Sequence, residues 1–144
     1  MGLFAFVKDI GASIFGGGNE AEEITDLLNK DLPNQITNLK VDFDDGRVTL
    51  AGDCASHATK EKAVLLAGNI KGVGDVNADN LTAPKPEEET EFYTVKRGDS
   101  LSKIAKAYYG DYMKYPLIFE ANREVIKDPD LIYPGQQLRI PKSA

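Results

Sequence analysis

The sequence of 144 residues predicts an α+β protein that is divided into two small domains. In the C-terminal third, a strand, two helices and a second strand follow one another within about fifty residues. Upstream, a helix precedes a β-hairpin, and a second helix precedes a last strand. A proline-rich acidic segment without an apolar period, residues 84–91, lies between the two patterns and is typical of a solvated linker. We therefore expect domains at 19–83 and 92–144, preceded by a separate segment at 1–18.

The N-terminal segment is apolar, with Leu3, Val7, Ile10 and Ile14 recurring at helical spacing. This stripe predicts an amphipathic helix that docks on the following domain or attaches to a membrane surface or partner. The segment is too short to span a bilayer and lacks the features of a secretion signal. We therefore expect a cytoplasmic protein without a transmembrane segment.

The region from about residue 20 to residue 82 has the order αββαβ. Its first helix is acidic at its start, as the helix dipole favours, and Asp45-Gly46 is a hairpin turn signal between two alternating strands. Ser56 is positioned to cap the second helix, which ends in the glycine-containing stretch Gly68–Gly74. The apolar residues that alternate in the hairpin are Leu39, Val41, Phe43, Val48 and Leu50.

The C-terminal region has the order βααβ. A β-rich run from Phe92 is followed by a turn at Gly98, and Asp99 or Ser100 is positioned to cap the helix that begins near Leu101. A second helical pattern follows, and the stretch Ile132–Gly135 turns the chain into a closing strand that Pro141 ends.

Charge and composition exclude several functions. Residues 1–91 contain 8 basic and 17 acidic side chains, a balance of −9, whereas residues 92–144 contain 9 and 6, a balance of +3. The acidic half argues against a nucleic acid partner. The single cysteine and single histidine, Cys54 and His57, are too few for a structural zinc site or for a histidine-dependent catalytic set. We therefore expect a protein that is not an enzyme.

Three phrases in the C-terminal region resemble a lysin-motif (LysM) domain. They are YTVKRGDSLSKIA, IFEANR and IYPGQQLRIP, and together they cover residues 92–141. The family implies two helices packed on a two-stranded antiparallel sheet. It also implies a groove beside the two turns that binds N-acetylglucosamine-containing glycans such as peptidoglycan. By position the possible glycan-binding residues are Gly98, Asp99, Ser100, Leu101, Ile132, Tyr133 and Pro134.

The upstream region resembles the BON domain of bacterial proteins, through VTLAGD at 48–53 and GNIKGVGDVN at 68–77. The whole arrangement, including the MGLFxFVKD start, is similar to the small cytoplasmic potassium-binding proteins of bacteria. That resemblance implies a selective K⁺ sensor or buffer that becomes more compact on binding. Glycan binding through the LysM domain, or a protein-interaction scaffold, are the alternatives.

The last prediction concerns the position of the ion. Backbone carbonyl dipoles can replace the water of K⁺, and the carbonyls at a helix C-terminus lack internal partners. We expect two such ends, one where a short N-terminal helix stops at Gly11 and one after Leu66. The resemblance points to the same two segments, with the N-terminal one folded over the BON domain. The predicted K⁺ ligands are the main-chain oxygens of Val7, Ile10, Ala12, Gly68, Ile70 and Val73.

Overall fold

The computed structural model describes residues 3–9, 11, 13–16, 18–85 and 90–142. The chain divides into two units, Met1–Pro86 and Glu87–Ala144, and each is described separately below. Both combine helices with a small sheet, which confirms the predicted α+β class. Among the described residues, no helix combines the length and the apolar character that crossing a membrane requires.

The first unit is a four-stranded sheet in the order β1-β4-β3-β2, with two helices. β2 and β3 are antiparallel, β3 and β4 are parallel, and β1 pairs antiparallel with β4. After β1, the elements follow the predicted αββαβ order. Their bounds are β1 Leu3–Ala5, α1 Glu20–Asp31, β2 Ile36–Asp44, β3 Arg47–Cys54, α2 His57–Gly68 and β4 Asp75–Thr82.

Local sequence signals explain most of these boundaries. Asp45 and Gly46 have φ angles of 46° and 83°, the left-handed pair that a two-residue hairpin turn requires. The Ser56 side chain accepts a hydrogen bond from the Thr59 N–H at 3.1 Å, so it caps α2 as predicted. Asn19 caps α1 in the same way by accepting from the Glu22 N–H at 3.1 Å.

The core of the first unit lies between the sheet and its helices. α1 contacts β2, α2 contacts β3 and β4, and the two helices contact each other. The α2 helix is buried along much of its length, which explains why its apolar residues extend beyond one narrow stripe. The fully buried side chains include Ile24, Leu28, Val48, Leu50, Ile70, Val73 and Val76.

The prediction of an N-terminal amphipathic helix is wrong. Residues 3–5 form strand β1, and residues 6–9 continue as extended chain and a turn. The apolar residues of this stretch follow a period of two: Phe4 and Phe6 are partly buried, whereas Leu3 and Val7 are 50% and 44% exposed. Pairing with β4 supplies hydrogen-bond partners to a sheet edge, which an N-terminal helix would have left open. Ile10, which completed the predicted stripe, lies outside the described residues.

The second unit has the predicted βααβ order. β5 and β6 pair antiparallel, with Phe92 opposite Arg139, and a short 3₁₀ turn precedes the second helix. Among the described residues, eight buried apolar side chains form one core; Leu101, Ile118 and Leu138 come from the helices and the sheet, and Val95 and Ile126 come from the loops. The bounds are β5 Thr90–Thr94, α3 Leu101–Tyr109, the 3₁₀ turn Tyr112–Lys114, α4 Tyr115–Ala121 and β6 Gln137–Pro141.

A buried asparagine joins the second helix of this unit, α4, to strand β6. The Asn122 side chain donates to the carbonyls of Ile118 and Arg139, each at 2.8 Å, and accepts from the Arg139 N–H at 2.8 Å. Asn122 is 1% exposed, so these bonds satisfy polar groups that are out of reach of water.

Candidate functional site

The loop between α2 and β4, residues 69–74, is held tightly at both ends. The Asn69 N–H donates to the Leu65 carbonyl at 3.0 Å and ends the helix, and the Val73 N–H donates to the Ile70 carbonyl at 3.1 Å. The side chains of Ile70 and Val73 are fully buried. The loop is therefore fixed to the core by its apolar side chains.

The N-terminal segment, residues 3–9 and 11, runs along this loop, and we call its described part the strap. Past β1, the Phe6 N–H donates to the Gly74 carbonyl at 2.8 Å, and the Lys8 carbonyl accepts from the Gly72 N–H at 2.7 Å. These two bonds flank Val7 and continue the antiparallel pairing of β1 beyond the end of the strand. The main chain of Val7 consequently lies beside residues 72–74.

Two glycines allow the strap to approach the loop closely. A Cβ atom on Gly68 would stand 2.1–2.3 Å from carbons of the Phe6 ring, so this ring occupies the space of a side chain. A Cβ atom on Gly11 would stand 2.2 Å from the Asn69 carbonyl oxygen and 3.1 Å from the Ile70 carbonyl carbon. Gly11 also has a φ angle of 116°, which side chains rarely permit. Both contacts are specific to glycine.

A second aromatic residue, Phe15, lies close to Gly72 of the loop. Its ring meets the Phe43 ring edge-on, with centroids 5.3 Å apart, and its carbon atoms lie 3.4–3.5 Å from a Cβ position on Gly72. Next to it, the Gly16 N–H donates to Glu23 Oε2 at 2.9 Å. Phe15 thus contacts the β2–β3 hairpin, and Gly16 contacts α1.

Four of the six predicted K⁺ ligands fall in this region. Gly68 lies under the Phe6 ring, Ile70 and Val73 lie in the loop, and Val7 lies in the strap. Ile10 and Ala12 lie outside the described residues. The predicted helix end at Val7–Ile10 is not formed, because Val7 belongs to the extended part of the strap. The helix end predicted after Leu66 lies two residues later, at Gly68.

The backbone carbonyl oxygens of these residues are available as cation ligands. Within the part of the chain that the structure describes, none of the backbone hydrogen bonds outside helices and strands ends on the oxygen of Val7, Gly68 or Val73. The Ile70 oxygen accepts one such bond and has a second lone pair. Gly68 is also the last residue of α2, where the helix dipole favours positive charge. This donor set fits a weakly hydrated monovalent cation.

Side-chain metal ligands show no comparable arrangement. Across the described ranges, no group of three or more His, Cys, Asp or Glu side chains could hold a metal ion. Cys54 is buried, and burial raises the pKa of its thiol to about 11, so it remains protonated at neutral pH. His57 lies in the first turn of α2, with Nε2 3.8 Å from Glu61 Oε2.

The second unit contains a groove of about 350 Å³ beside its two turns. Four of the seven predicted glycan-binding residues line it, namely Asp99, Ser100, Leu101 and Ile132. The other lining residues are Ser102, Tyr115, Pro129 and Asp130, which the sequence motifs did not single out. The predicted residues Gly98, Tyr133 and Pro134 lie outside the lining. Gly98 has a φ of 87° and forms the turn before α3.

The carboxylate of Asp99 is engaged within the turn. Its Oδ2 accepts hydrogen bonds from the Tyr93 hydroxyl at 2.5 Å and from the Lys96 N–H at 2.8 Å. Partial burial, together with the hydrogen bond to Asp99 and its negative charge, raises the pKa of Tyr93 to about 12. Burial also raises the pKa of Tyr133. Asp99 therefore stabilises the turn, whatever the groove binds.

Family models match both units. A BON domain matches residues 19–84, and a LysM domain matches residues 93–141. An uncharacterised protein of Deinococcus radiodurans is 44% identical over 104 residues, which make up 65% of this chain and 40% of that protein. An esterase of Mycobacterium tuberculosis is 37% identical over 75 residues, only 16% of its length.

A relative that matches along its whole length is more informative. The potassium binding protein Kbp of Escherichia coli is 40% identical over 149 residues, which cover 99% of both chains. Its match covers both domains and the strap, whereas the other two relatives cover 65% and 52% of this chain. This chain, which joins a BON domain to a LysM domain, therefore belongs to the family of the potassium binding protein Kbp.

Proposed function

We propose that the chain binds K⁺ through main-chain carbonyl oxygens where the strap meets the α2–β4 loop. The observation that carries the proposal is the close approach of Gly11 to the Asn69–Ile70 peptide, which brings two stretches of backbone together. The name and full-length similarity of the Escherichia coli relative support the identity of the ion. The ligands that we assign are the oxygens of Val7, Ile10, Ala12, Gly68, Ile70 and Val73.

Physical chemistry favours K⁺ over other cations at such a site. Neutral carbonyl dipoles replace the water of an ion of low charge density, whereas Ca²⁺ prefers several carboxylates. The chain would act as a selective K⁺ sensor or buffer without catalysis. Calorimetric titration of the K⁺-free protein with K⁺, Rb⁺, Na⁺ and Ca²⁺ tests this. We expect binding of K⁺ and Rb⁺ and weak binding of Na⁺ and Ca²⁺. Equal heats for K⁺ and Na⁺ would contradict the proposed selectivity.

Removal of the strap tests the position of the site. We expect a chain that lacks residues 1–12 to lose K⁺ binding while the rest of the protein stays folded. Circular dichroism is the control, because α1, α2 and the β2–β3 hairpin do not include these residues. A truncated, folded protein that bound K⁺ as well as the full chain would place the site elsewhere.

We also propose that K⁺ binding makes the protein more compact and that it acts in the cytoplasm, as the family resemblance implies. Small-angle scattering with and without K⁺ measures the first property. An unchanged radius of gyration at saturating K⁺ would refute it. Fractionation of intact cells tests the second, and recovery mainly with peptidoglycan would overturn it.

Glycan binding is the second candidate function, and the groove of the second unit favours it. Its lining includes Ser100, Ser102 and Tyr115, residue types that suit a sugar with polar edges and an apolar face. We expect Asp130→Ala and Ser102→Ala to weaken binding of a chitin oligosaccharide, with the fold retained. Asp99→Ala is a poor test, because it removes an acceptor that the turn uses. Absence of any binding by the wild type would exclude this function and leave the LysM domain as a protein-interaction surface.

A further inference from the structure

The side chain of Lys8 packs over two glycines, Gly46 and Gly74. Its Cβ and Cδ atoms are 3.8 and 3.9 Å from a Cβ position on Gly74, and its Cε and Nζ atoms are 3.0 and 3.1 Å from one on Gly46. Gly46 and Gly74 are joined by a hydrogen bond of 2.8 Å from the Gly74 N–H to the Gly46 carbonyl. The lysine stem therefore runs across this bond, from the loop to the hairpin turn.

The main chain of Lys8 is held at the same place. Its carbonyl accepts from the Gly72 N–H at 2.7 Å, so backbone and stem fix one residue of the strap on two neighbouring elements. Val7, the only predicted ligand among residues 3–9, immediately precedes it. A side chain at position 46 would meet both the lysine tip and the Gly72 carbonyl, so the glycine of the hairpin turn keeps this surface open.

We propose that Lys8 is a positioning residue of the K⁺ site, with the β2–β3 turn as its platform. The side chain holds the strap so that the Val7 oxygen faces the ion, and it does so by packing over Gly46 and Gly74 and not through its charge. The inference rests on the proposed function and deepens it, because it assigns a role to an exposed lysine and to a hairpin that supplies no ligand.

The test compares Lys8→Ala with Lys8→Met in the full chain. Both remove the positive charge, but only methionine keeps an unbranched apolar stem, so their difference isolates the stem. We expect Lys8→Ala to bind K⁺ about fivefold more weakly than Lys8→Met, a difference of about 1 kcal/mol. Lys8→Met should bind at least as tightly as the wild type, because a positive charge near a cation site is removed. Lys30→Ala, which removes an exposed lysine from the last turn of α1, is the matched control and should leave affinity within about twofold.

A second variant tests the platform. Asparagine tolerates the left-handed conformation of Gly46, so Gly46→Asn mainly displaces the Lys8 tip. Its effect on K⁺ affinity should shrink in the Lys8→Ala background, as coupled contacts do. The rise in melting temperature that K⁺ produces should be smaller for the variants that bind K⁺ more weakly. The melting temperature of Lys8→Ala without K⁺ should stay near that of the wild type.

The outcomes separate the two proposals. If the wild type fails to bind K⁺, the proposed function fails. If the wild type binds, but Lys8→Ala and Lys8→Met have the same affinity, the positioning role is refuted and the function stands. If Gly46→Asn lowers K⁺ affinity as much in the Lys8→Ala background as in the wild type, the proposed role of the β2–β3 turn as a platform is refuted.

Discussion

The substitution Gly11→Ala tests the proposed K⁺ site with one methyl group. Gly11 is the described residue of the strap that lies against the Asn69–Ile70 peptide. Alanine retains the backbone carbonyl at position 11 and at every assigned ligand. Any loss of K⁺ binding would therefore come from the position of the strap and not from a missing ligand atom.

The size of the effect follows from the contacts. The new methyl carbon would stand 2.2 Å from the Asn69 carbonyl oxygen and 2.7 Å from its carbon. Both are backbone atoms that cannot rotate away, so the strap must move outward by roughly 1 Å to restore normal contact distances. The φ angle of 116° adds about 1 kcal/mol of backbone strain. If K⁺ binds only the closed strap and closure costs about 2 kcal/mol more, affinity falls roughly 30-fold.

Calorimetry at constant ionic strength, with a large organic cation as the replacement salt, measures this change. Gly110→Ala is the matched control, because Gly110 has a φ of 76° but a Cβ there meets nothing within 4 Å. It should lower stability by about 1 kcal/mol and leave K⁺ affinity unchanged. Circular dichroism must show that both variants are folded. A folded Gly11→Ala protein whose affinity is within about threefold of wild type would refute the reasoning.

Four further results are expected. Val7→Ala should bind K⁺ almost normally because Val7 is 44% exposed, whereas Ile70→Ala should lower the free energy of unfolding by about 2–5 kcal/mol because Ile70 is fully buried; urea denaturation and calorimetry separate the two effects. K⁺ affinity should vary by less than about twofold between about pH 6 and pH 9, since carbonyl oxygens do not titrate, and a larger change would implicate ionisable ligands. Denaturation of the second unit should become easier from about pH 10 to about pH 12, because folded Tyr93 keeps a proton that the unfolded chain releases above its ordinary pKa of 10.0; Tyr93→Phe should lack this contribution, and an identical pH profile would contradict it. Asn122→Ala should destabilise the second unit by about 2–4 kcal/mol, since three buried hydrogen bonds are lost, and a wild-type urea midpoint would show that they contribute little.

The element order could be predicted from the sequence because local signals mark each boundary. Asp45-Gly46 specifies the hairpin turn, Ser56 the start of α2, and Ser100 the start of α3, where its side chain accepts from the Lys103 N–H at 3.1 Å. The apolar alternation of β2 and β3 determines which side chains enter the core. These signals act over a few residues and can be recognised without any tertiary information.

The N-terminal strand could not be predicted in the same way. Leu3, Val7 and Ile14 fit a helical stripe, and Phe4 and Phe6 fit a strand, so periodicity alone supported both readings. The open edge of β4 decides between them, because it offers hydrogen bonds to the first three described residues. That edge exists only after the rest of the sheet has formed. Tertiary context therefore overrides local preference at this position.

A site made of main-chain oxygens leaves few traces among residue types. Every residue except proline carries the same donor and acceptor, so no side chain at Val7 or Val73 indicates what its carbonyl does. The informative residues are the ones that let two stretches of backbone meet: Gly11 at the Asn69 carbonyl, and Gly68 beneath the Phe6 ring. If the ligands are shared between strap and loop, the free energy of closing the strap enters directly into the K⁺ affinity. Residues that never touch the ion then set that affinity. Replacing an aromatic or aliphatic contact of the strap should therefore change the range of K⁺ concentrations over which the protein binds the ion, while all of its ligands remain in place.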